Sequence, residues 1–346
     1  MSGIPADIAL IYSTGPTMLG ICLNWGFMGI LLVQLYYYQE HFRDDRTAVQ
    51  VLVYGLALLD VLQTVMVTAD AFHWFVYGFG NMTQLDETFL NSWDVPVIDA
   101  VVSLVVQTFY CWRIYFLCKT RVLPALIVAV SMTQCVAGIY TGVRAHQLGH
   151  LSLIRTETVP QTIWLVGGAV ADVAIAGVLT WGLVRQRSTT LPSGAVRSTI
   201  SRIIRLVVET NTLTASVAVI ALALFWGLPK HGTLVVPPTA IMGKLYTNSL
   251  IALLNNRLRD RQPQTAHGMQ SLHLPNSSSQ NHSSQHGHGL SDGVKIHVVR
   301  EMDLTFEPAV LAKMQVSLLQ AFIYFSCSGG DVLTPLRSPW HDHRRN

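Results

Sequence analysis

Charged residues are scarce in this chain: only 12% of its 346 residues are Asp, Glu, Lys or Arg, while half are apolar. An ordinary soluble domain carries roughly 25% charged residues. No charged side chain occurs from Ile8 to Gln39. About 20 apolar residues are enough for a helix to cross the hydrocarbon core of a bilayer. The shortage of charge therefore excludes disorder throughout the chain and predicts an integral membrane protein.

Cysteine is also rare, and none of the five cysteines lies in a loop that we expect to face outward. No disulfide is therefore predicted. The residues before the first apolar run include Asp7 but neither Lys nor Arg. A secretory signal peptide begins with basic residues, so we expect no cleaved signal peptide here.

Seven apolar runs are long enough to span a membrane as helices. They are Pro16–Tyr38, Thr47–Ala69, Trp93–Leu117, Val122–Gly142, Gln161–Val184, Ile203–Gly227 and Val236–Asn256. The expected fold class is all-α: a seven-helix integral membrane bundle over residues 16–257. Residues 1–15 would form a short outer segment.

The positions of Lys and Arg predict the orientation, because short cytoplasmic loops are rich in them. Loops one, three and five, together with the start of the sixth span, contain Arg43, Arg46, Lys119, Arg121, Arg185, Arg187, Arg197, Arg202 and Arg205. The alternate loops carry only Arg144, Arg155 and Lys230. We therefore expect the N-terminus outside and the C-terminus in the cytoplasm, with the plasma membrane favoured over internal membranes.

Residues 258–346 differ abruptly in composition from the rest of the chain, being rich in Ser, His, Gln and Asn. Such a segment cannot bury enough apolar surface to fold alone, so we predict a disordered cytoplasmic tail. Eight of the thirteen histidines lie there, but their spacing is irregular and predicts no metal site.

Two positions match modification patterns. Asn81-Met82-Thr83 is an acceptor sequence for glycosylation in a loop that we expect to face outward. Cys118 is a candidate for palmitoylation because it lies beside Lys119 and Arg121, although an unmodified thiol is the simpler expectation.

Five charged residues lie well inside the predicted spans, away from their ends: Asp60, Asp99, Asp172, Glu209 and Lys244. A charge at the bilayer centre costs about 2.5–3.5 kcal/mol on insertion scales, so each needs a physical account. At a rise of 1.5 Å per residue, Lys244, Asp60 and Asp99 reach a similar level in the outer third. They are the candidate polar pocket or ion-pair cluster, whereas Asp172 lies near mid-membrane and Glu209 in the cytoplasmic third.

Polar residues spaced by three or four form stripes on four of these helices. The supporting members are Gln63 on helix two, Ser103 and Gln107 on helix three, and Thr247 and Asn248 on helix seven; the helix-six stripe is Glu209, Thr212 and Ser216. The stripes predict a polar bundle interior. They are equally compatible with hydrogen bonds that merely hold the helices together.

Several segments carry a family resemblance: Leu23-Asn24-Trp25-Gly26, Asp70-Ala71-Phe72-His73-Trp74, Gly78-Phe79-Gly80-Asn81, Ala169-Val170-Ala171-Asp172, Arg205-Leu206-Val207-Val208-Glu209-Thr210 and Gly243-Lys244-Leu245-Tyr246-Thr247-Asn248-Ser249-Leu250. Taken in order, they resemble a large family of mushroom-type fungal seven-helix membrane proteins of unknown function. The resemblance covers about Gly15 to Arg257. It implies a seven-helix fold and no particular activity.

Two functional classes remain open. The favoured one is a receptor-like or sensory protein that binds an unknown small ligand near Lys244, Asp60 and Asp99. Such a protein would meet a cytoplasmic partner at loops three and five and the tail. The alternative is a transporter or channel in which intramembrane carboxylates carry a proton or cationic solute. No internal repeat or broken span of the kind that many transporters use is visible in the sequence.

Other classes have less support. A metal-dependent hydrolase could use His73, His146 and His150, but no nucleophile motif accompanies them, so we expect no enzyme and no catalytic residue. Retinal bound to Lys244 is not expected, because Ala240 stands where a microbial rhodopsin has an Asp; no cofactor is predicted. The net charge of +3 suits contact with anionic lipid and gives no support for nucleic-acid binding.

Overall fold

The computed structural model describes residues 6–151, 153, 158–189, 194–227, 232–257 and 317. Within these residues the chain forms α1 (Ala6–His41), α2 (Thr47–Phe72), α3 (Met82–Leu85), α4 (Asn91–Asp94), α5 (Pro96–Cys118), α6 (Val122–Leu148), α7 (Thr158–Thr189), α8 (Gly194–Gly227), α9 (Val236–Ala240) and α10 (Met242–Asn255). A π-helical turn, His73–Tyr77, extends α2, and a 3₁₀ turn, Gly232–Val235, precedes α9. The described part of the chain contains no strand.

Six of these helical stretches are long and apolar enough to cross a membrane. They are Thr14–His41, Thr47–Tyr77, Asn91–Cys118, Val122–Leu148, Thr158–Arg185 and Arg205–Gly227. By length and composition, these six helices confirm the expectation of an all-helical, multi-pass membrane protein. The first helix begins at Ala6, inside the segment that we assigned to residues 1–15, while the predicted tail of residues 258–346 lies outside the described residues apart from Ser317.

The segment that we predicted as the seventh span is not one continuous helix. It breaks at Ile241, between α9 and α10, and α10 alone is only 14 residues long. Asn24 of α1 donates a side-chain hydrogen bond of 3.0 Å to the carbonyl oxygen of Ala240 at this break. Because a helix end leaves carbonyl groups without intrahelical partners, this contact satisfies one of them.

Helix α10 lies at the centre of the bundle. It packs against α1, α2, α5 and α8, and every one of its 14 residues is buried. A helix surrounded on all sides by protein has no face that must be apolar toward lipid. This explains why α10 can carry several polar side chains, and with 14 residues it is too short to cross a membrane by itself.

The short helices α3 and α4 mark one end of the bundle, which we call the α3–α4 end. The α5–α6 contact near this end is close. A Cβ atom added to Gly142 would lie 2.6 Å from the carbonyl oxygen of Ser92, and one added to Gly138 would lie 2.7 Å from the Cβ atom of Ala100. Because Gly138 and Gly142 of α6 have no side chains, the two helices can approach each other closely here.

Candidate functional site

Lys244 is fully buried at the centre of the bundle, beside Asp60 of α2. Its ammonium group donates to the carbonyl oxygen of Asp60 at 2.9 Å and to Oε1 of Gln63 at 3.1 Å. The distance from Lys244 Nζ to Oδ1 of Asp60 is 3.6 Å, and both side chains have 0% exposure. Lys244 and Asp60 therefore form an ion pair without contact to solvent.

Gln63 connects this pair to Asp99 of α5. Its Nε2 donates to Oδ1 of Asp99 at 2.8 Å and to the carbonyl oxygen of Asp94 at 3.0 Å. Gly243 lies directly against Asp99, and a Cβ atom there would collide with Oδ1 of Asp99. Lys244, Asp60 and Asp99 thus belong to one connected group, which Gln63 holds together.

A second pair of carboxyl groups, Asp70 and Asp94, lies next to this group at the α3–α4 end. Their side chains interact with each other, and their exposure is 1% and 0%. Asp70 Oδ1 accepts a hydrogen bond of 2.9 Å from the backbone N–H of Leu90. Neither oxygen of Asp94 accepts a well-formed hydrogen bond, nor does Oδ2 of Asp70. Two carboxylates in contact are favourable only when a proton or a cation lies between them.

Negative charge is in excess in this region. We call Asp60, Asp70, Asp94, Asp99 and Lys244 the acidic cluster, in which four buried carboxyl groups face one buried ammonium group. Both oxygens of Asp60 and Oδ2 of Asp99 also lack a well-formed hydrogen bond. A buried ionised carboxylate without a partner costs several kcal/mol, so the cluster must hold protons or attract a cation.

Two cavities lie at the α3–α4 end, and only the smaller of them is lined by residues of the acidic cluster. The larger, about 50 Å³, we call the Trp164 cavity; the smaller, about 10 Å³, we call the Asp94 cavity. The Trp164 cavity is lined by Asn91, Ser92, Val95, Pro96, Thr141, Ala145, Leu151, Gln161, Trp164, Phe225, Thr233, Val235, Val236 and Thr239. Asp70 and Asp94 line the smaller cavity, and Asn91, Val95 and Val236 line both.

The Trp164 cavity combines aromatic walls with unsatisfied polar atoms. Trp164 and Phe225 are each 3% exposed, while Ser92 is 1% and Gln161 4% exposed. Ser92 Oγ and Gln161 Oε1 have no hydrogen-bond partner in the structure. An apolar pocket with a few convergent polar groups is the usual form of a small-molecule site.

Asp172 lies in a different environment, deeper in the bundle. Its Oδ1 accepts from Nε2 of Gln107 at 2.9 Å, and its Oδ2 accepts from the hydroxyls of Thr214 and Tyr246 at 2.5 and 2.9 Å. Gln107 in turn accepts from Gln134 at 2.6 Å. Since each carboxyl oxygen has a donor, this network can serve as hydrogen-bonded packing between helices.

The helix-six stripe faces away from the bundle interior, contrary to our expectation. Glu209 is exposed, as are Thr212 and Ser216. The buried polar residues of α8 are instead Thr210, Asn211 and Thr214. The face of α8 that points inward is therefore the one with Thr214, whose hydroxyl donates to Asp172.

The supporting polar residues are all buried. Ser103 is 3% and Gln107 1% exposed, and Gln63, Thr247 and Asn248 are each at 0%. Asn248 donates to the carbonyl oxygens of Phe27 at 3.3 Å and Lys244 at 2.8 Å. It therefore links α10 to α1 rather than to the acidic cluster.

The two modification candidates lie in contrasting settings. Asn81 is exposed before α3, and its side chain accepts from the backbone N–H of Thr83 at 3.1 Å. Cys118 is half-buried against Gly182 of α7, where an added Cβ atom would lie 2.8 Å from its sulfur atom.

Two of the three histidines considered for a metal pair with separate acids, while the ring of His146 packs against Trp93. His73 lies 2.9 Å from Glu87, and His150 lies 3.6 Å from Asp86. Among the described residues, no group of three or more His, Cys, Asp or Glu side chains could hold a metal ion. The His150–Asp86 contact instead fastens the segment between α2 and α4 to the end of α6, whereas the His73–Glu87 contact lies within that segment.

An ion pair closes the opposite end of the bundle. Arg257, just beyond α10, lies 2.6 Å from Oδ2 of Asp45, which also accepts from the hydroxyl of Tyr38 at 3.1 Å. The Arg257 guanidinium lies 4.9 Å from the ring centre of Phe42. Burial opposes ionisation of Asp45, but the hydrogen bond and charge of Arg257 outweigh it and lower the pKa of Asp45 below its ordinary value.

Sequence reasoning missed Asp70, Asp94, Ser92, Gln161 and Trp164. Asp70 and Asp94 were visible as acids at the edges of predicted spans, but edge positions are normally solvated and gave no reason to expect burial. Their spacing of 24 residues carries no periodic signal, because it is the short helices α3 and α4 that bring them together. Asp94 also stands two residues before Pro96, a position that reads as a helix start rather than a site.

Comparison with known proteins gives a limited result. No curated protein and no solved structure matches the chain. Residues 168–259 match a family of unknown function, DUF6534. The matched segment includes Asp172 and Lys244, and the match agrees with the expectation of an uncharacterised family.

Proposed function

We propose that this is a seven-helix, receptor-like membrane protein that binds a small ligand from the outer side. In this topology α9 and α10 together form the seventh crossing, and the α3–α4 end faces outward. The support is the concentration of Lys and Arg in the loops at the other end. The resemblance to the fungal seven-helix family agrees with this arrangement, and the plasma membrane is the favoured location.

The single observation that carries the receptor-like proposal is the Trp164 cavity beside the acidic cluster. The cavity lies at the α3–α4 end, where Asn91, Thr233 and Val236 are only half-buried at its edge. A ligand could therefore enter from that end and contact Ser92 and Gln161. Unsatisfied buried polar atoms are costly, so a ligand that supplies their missing partners gains binding energy.

A transporter or channel is the alternative, and one feature favours it. Asp99, Ser103 and Gln107 follow one face of α5 and connect the acidic cluster to Asp172 through a line of polar side chains. Such a line could pass protons toward mid-membrane. The complete hydrogen bonding of Asp172 favours a static role and is the reason that we prefer binding over transport.

A thermal-shift screen of the purified protein in detergent tests the binding site. Ala145→Leu places three additional carbon atoms in the Trp164 cavity, whereas Ala129→Leu adds them at an exposed position of the same helix. Ligand binding raises the apparent melting temperature by mass action. We expect compounds that stabilise wild type and Ala129→Leu but not Ala145→Leu. Equal responses in all three proteins would contradict the proposal that ligands bind in the Trp164 cavity.

Reconstitution into liposomes distinguishes the two functional classes. A receptor-like protein should show no proton or cation flux above empty liposomes at saturating ligand. Flux that disappears in Asp99→Asn would support the transporter alternative and contradict ours. We propose no catalytic activity.

The topology has its own test. The outward orientation of the loop that carries Asn81 predicts a glycosidase-sensitive mass in a eukaryotic host, lost in Asn81→Gln. Protease that removes residues 258–346 from outside intact cells would contradict the orientation.

A further inference from the structure

We propose that the ligand of the Trp164 cavity is a small neutral aliphatic alcohol, whose hydroxyl group donates to Gln161 and accepts from Ser92. This inference rests on the proposed function and adds the chemical class of the ligand. It is carried by the uncharged wall of this cavity, by two polar atoms in the wall that have no partner, and by the volume of the cavity.

The wall of the Trp164 cavity is uncharged: within the part of the chain that the structure describes, no Asp, Glu, Lys, Arg or His side chain lines it. Asp70 and Asp94 line the Asp94 cavity instead, and a proton shared between them satisfies that pair without any ligand. A charged ligand in the Trp164 cavity would lose its hydration and meet no counter-ion in the wall. The wall therefore favours a neutral molecule.

Two buried polar atoms in this wall lack a partner. They are Oγ of Ser92 and Oε1 of Gln161, which belong to residues that are only 1% and 4% exposed. The Gln161 oxygen can only accept a hydrogen bond, whereas the Ser92 hydroxyl can also donate one. A ligand hydroxyl group supplies both missing functions on a single atom, and it relieves the cost of leaving two buried polar groups unpaired.

The packing of α6 against α7 shows how these two residues are placed along the bundle. A Cβ atom added to Gly167 of α7 would lie 2.8 Å from the Cβ atom of Gln134, and one added to Gly138 of α6 would lie 3.2 Å from Cδ1 of Trp164. Contacts therefore advance by four residues along α6 while they move back by three along α7. The two helices run antiparallel, and each step is about one helical turn.

The next step of this pattern brings Gly142 of α6 to the level of Gln161 on α7. Ser92 lies at the same level, because a Cβ atom added to Gly142 would be 2.6 Å from the carbonyl oxygen of Ser92. Ser92 and Gln161 thus approach the cavity at one depth, from α4 and from α7. One ligand hydroxyl group can therefore meet both.

The remaining wall is suited to a hydrocarbon chain. The hydroxyl groups of Thr141 and Thr239 already donate to the carbonyl oxygens of Ala137 and Val235, each at 2.8 Å. The buried apolar residues of the wall are Val95, Ala145, Leu151, Trp164, Phe225 and Val235. A ligand with one hydroxyl group and an otherwise apolar surface matches this distribution.

The volume limits the ligand to a few atoms. One water-sized group needs about 10–15 Å³, so a cavity of about 50 Å³ holds roughly four, which corresponds to the three carbon atoms and one oxygen of n-propanol. A primary amide of this size would bring a second N–H donor against Trp164 and Phe225, and burying it unpaired is costly. An alcohol avoids this cost.

The test is a fluorine NMR titration of the purified full-length protein in detergent with 3-fluoropropan-1-ol, using protein-free micelles as the background. The comparison compounds are 1-chloro-3-fluoropropane, which has no hydroxyl group to donate, and 3-fluoropropylammonium, which carries a charge. We expect saturable binding of the alcohol to wild type, displaced by n-propanol. Each comparison compound should bind at least about threefold more weakly, the value of one hydrogen bond.

Two pairs of variants locate the bound alcohol. Gln161→Leu removes the acceptor, and its matched control Gln147→Leu makes the same change at an exposed position near the end of α6. We expect Gln161→Leu to weaken alcohol binding at least about threefold while it keeps or strengthens binding of 1-chloro-3-fluoropropane, which shows that the cavity is still formed. Ala145→Leu should remove binding of both compounds, and Ala129→Leu should not.

A further variant protects the test against a folding defect. If Gln161→Leu does not fold, Ser92→Ala replaces it, since it removes the other partner of the ligand hydroxyl group. We again expect weaker binding of the alcohol and unchanged binding of 1-chloro-3-fluoropropane. Unchanged alcohol affinity in Ser92→Ala would then overturn the inference.

Three outcomes would overturn the alcohol inference in the first set of proteins. They are equal affinity of wild type for the alcohol and for 1-chloro-3-fluoropropane, equal alcohol affinity of Gln161→Leu and Gln147→Leu, and an alcohol signal that Ala145→Leu does not change. If compounds other than alcohols stabilise wild type but not Ala145→Leu in the thermal-shift screen, the proposed cavity stands and only the ligand class is wrong.

Discussion

Replacement of Lys244 by Met tests whether the acidic cluster stabilises the fold. Met has nearly the length of Lys and fills the same space, so the change removes charge and donors with little loss of packing. The variant loses the hydrogen bonds to the Asp60 carbonyl and to Gln63, and it loses the ammonium group 3.6 Å from the Asp60 carboxylate. Asp60 and Asp99 then remain buried without a counter-ion.

The expected cost follows from these losses. Removing one partner of a buried ion pair destabilises a protein by about 3–5 kcal/mol, because the other charge stays uncompensated. For a folded unit of roughly 150–250 residues, a range that includes the helical bundle, 1 kcal/mol shifts the melting temperature by about 2–4 °C. Lys244→Met should therefore melt roughly 6–20 °C below wild type in the same detergent at neutral pH.

A double-mutant cycle isolates the pair. Asp60→Asn combined with Lys244→Met removes both charges, and a buried pair replaced by neutral groups is often close to neutral in stability. We expect the double variant to recover at least half of the stability that Lys244→Met loses, with a coupling energy of about 1 kcal/mol or more. If the two single changes are additive, or if Lys244→Met, Asp60→Asn and Asp99→Asn all melt as wild type does, the cluster does not stabilise the fold.

Two further predictions concern the packing of the cluster and the ion pair at the opposite end. Gly243→Ala should lower stability by roughly 1–3 kcal/mol, because its Cβ atom would collide with Asp99; Gly26→Ala, in open space on α1, should not, and equal melting temperatures would contradict this packing. Asp45→Asn should destabilise the protein at pH 7 by at most about 1 kcal/mol, since Arg257 is partly exposed. Because the pKa of Asp45 is lowered in the folded state, its contribution is present above the unfolded pKa and lost as the pH falls through the folded pKa. The melting curves of wild type and Asp45→Asn should therefore converge in acid, and a constant difference down to pH 2 would refute the assignment.

Most of the helical architecture could be predicted from the sequence, because each lipid-facing helix must be apolar over the thickness of the bilayer. The long apolar runs were sufficient for this, as in the uncharged stretch from Ile8 to Gln39. The seventh segment was harder to predict, since a helix surrounded by protein need not be apolar over its whole length. At its break the carbonyl oxygen of Ala240 is satisfied by Asn24 of α1, which is 216 positions away in the sequence, and such a distant contact cannot be inferred from local pattern.

The site was partly predictable, and the difference has a physical reason. The rise per residue placed Lys244, Asp60 and Asp99 at one level, because depth along a straight helix depends only on sequence position. Which face of a helix turns inward depends on its neighbours, and for this reason the stripe containing Glu209 was assigned to the wrong side. The burial of Asp94 was not predicted because it arises from the segment between α2 and α5, which includes α3 and α4.

The central position of α10 gives it a mechanical property. Its 14 residues form a stiff rod about 20 Å long. Lys244 near its start pairs with Asp60, Tyr246 donates to Asp172, and Arg257 just past its end is bound to Asp45. A displacement of one end must move the other, since the rod has no break between Met242 and Asn255. A shift of α10 that displaces Lys244 would therefore strain the Arg257–Asp45 contact at the far end of the bundle.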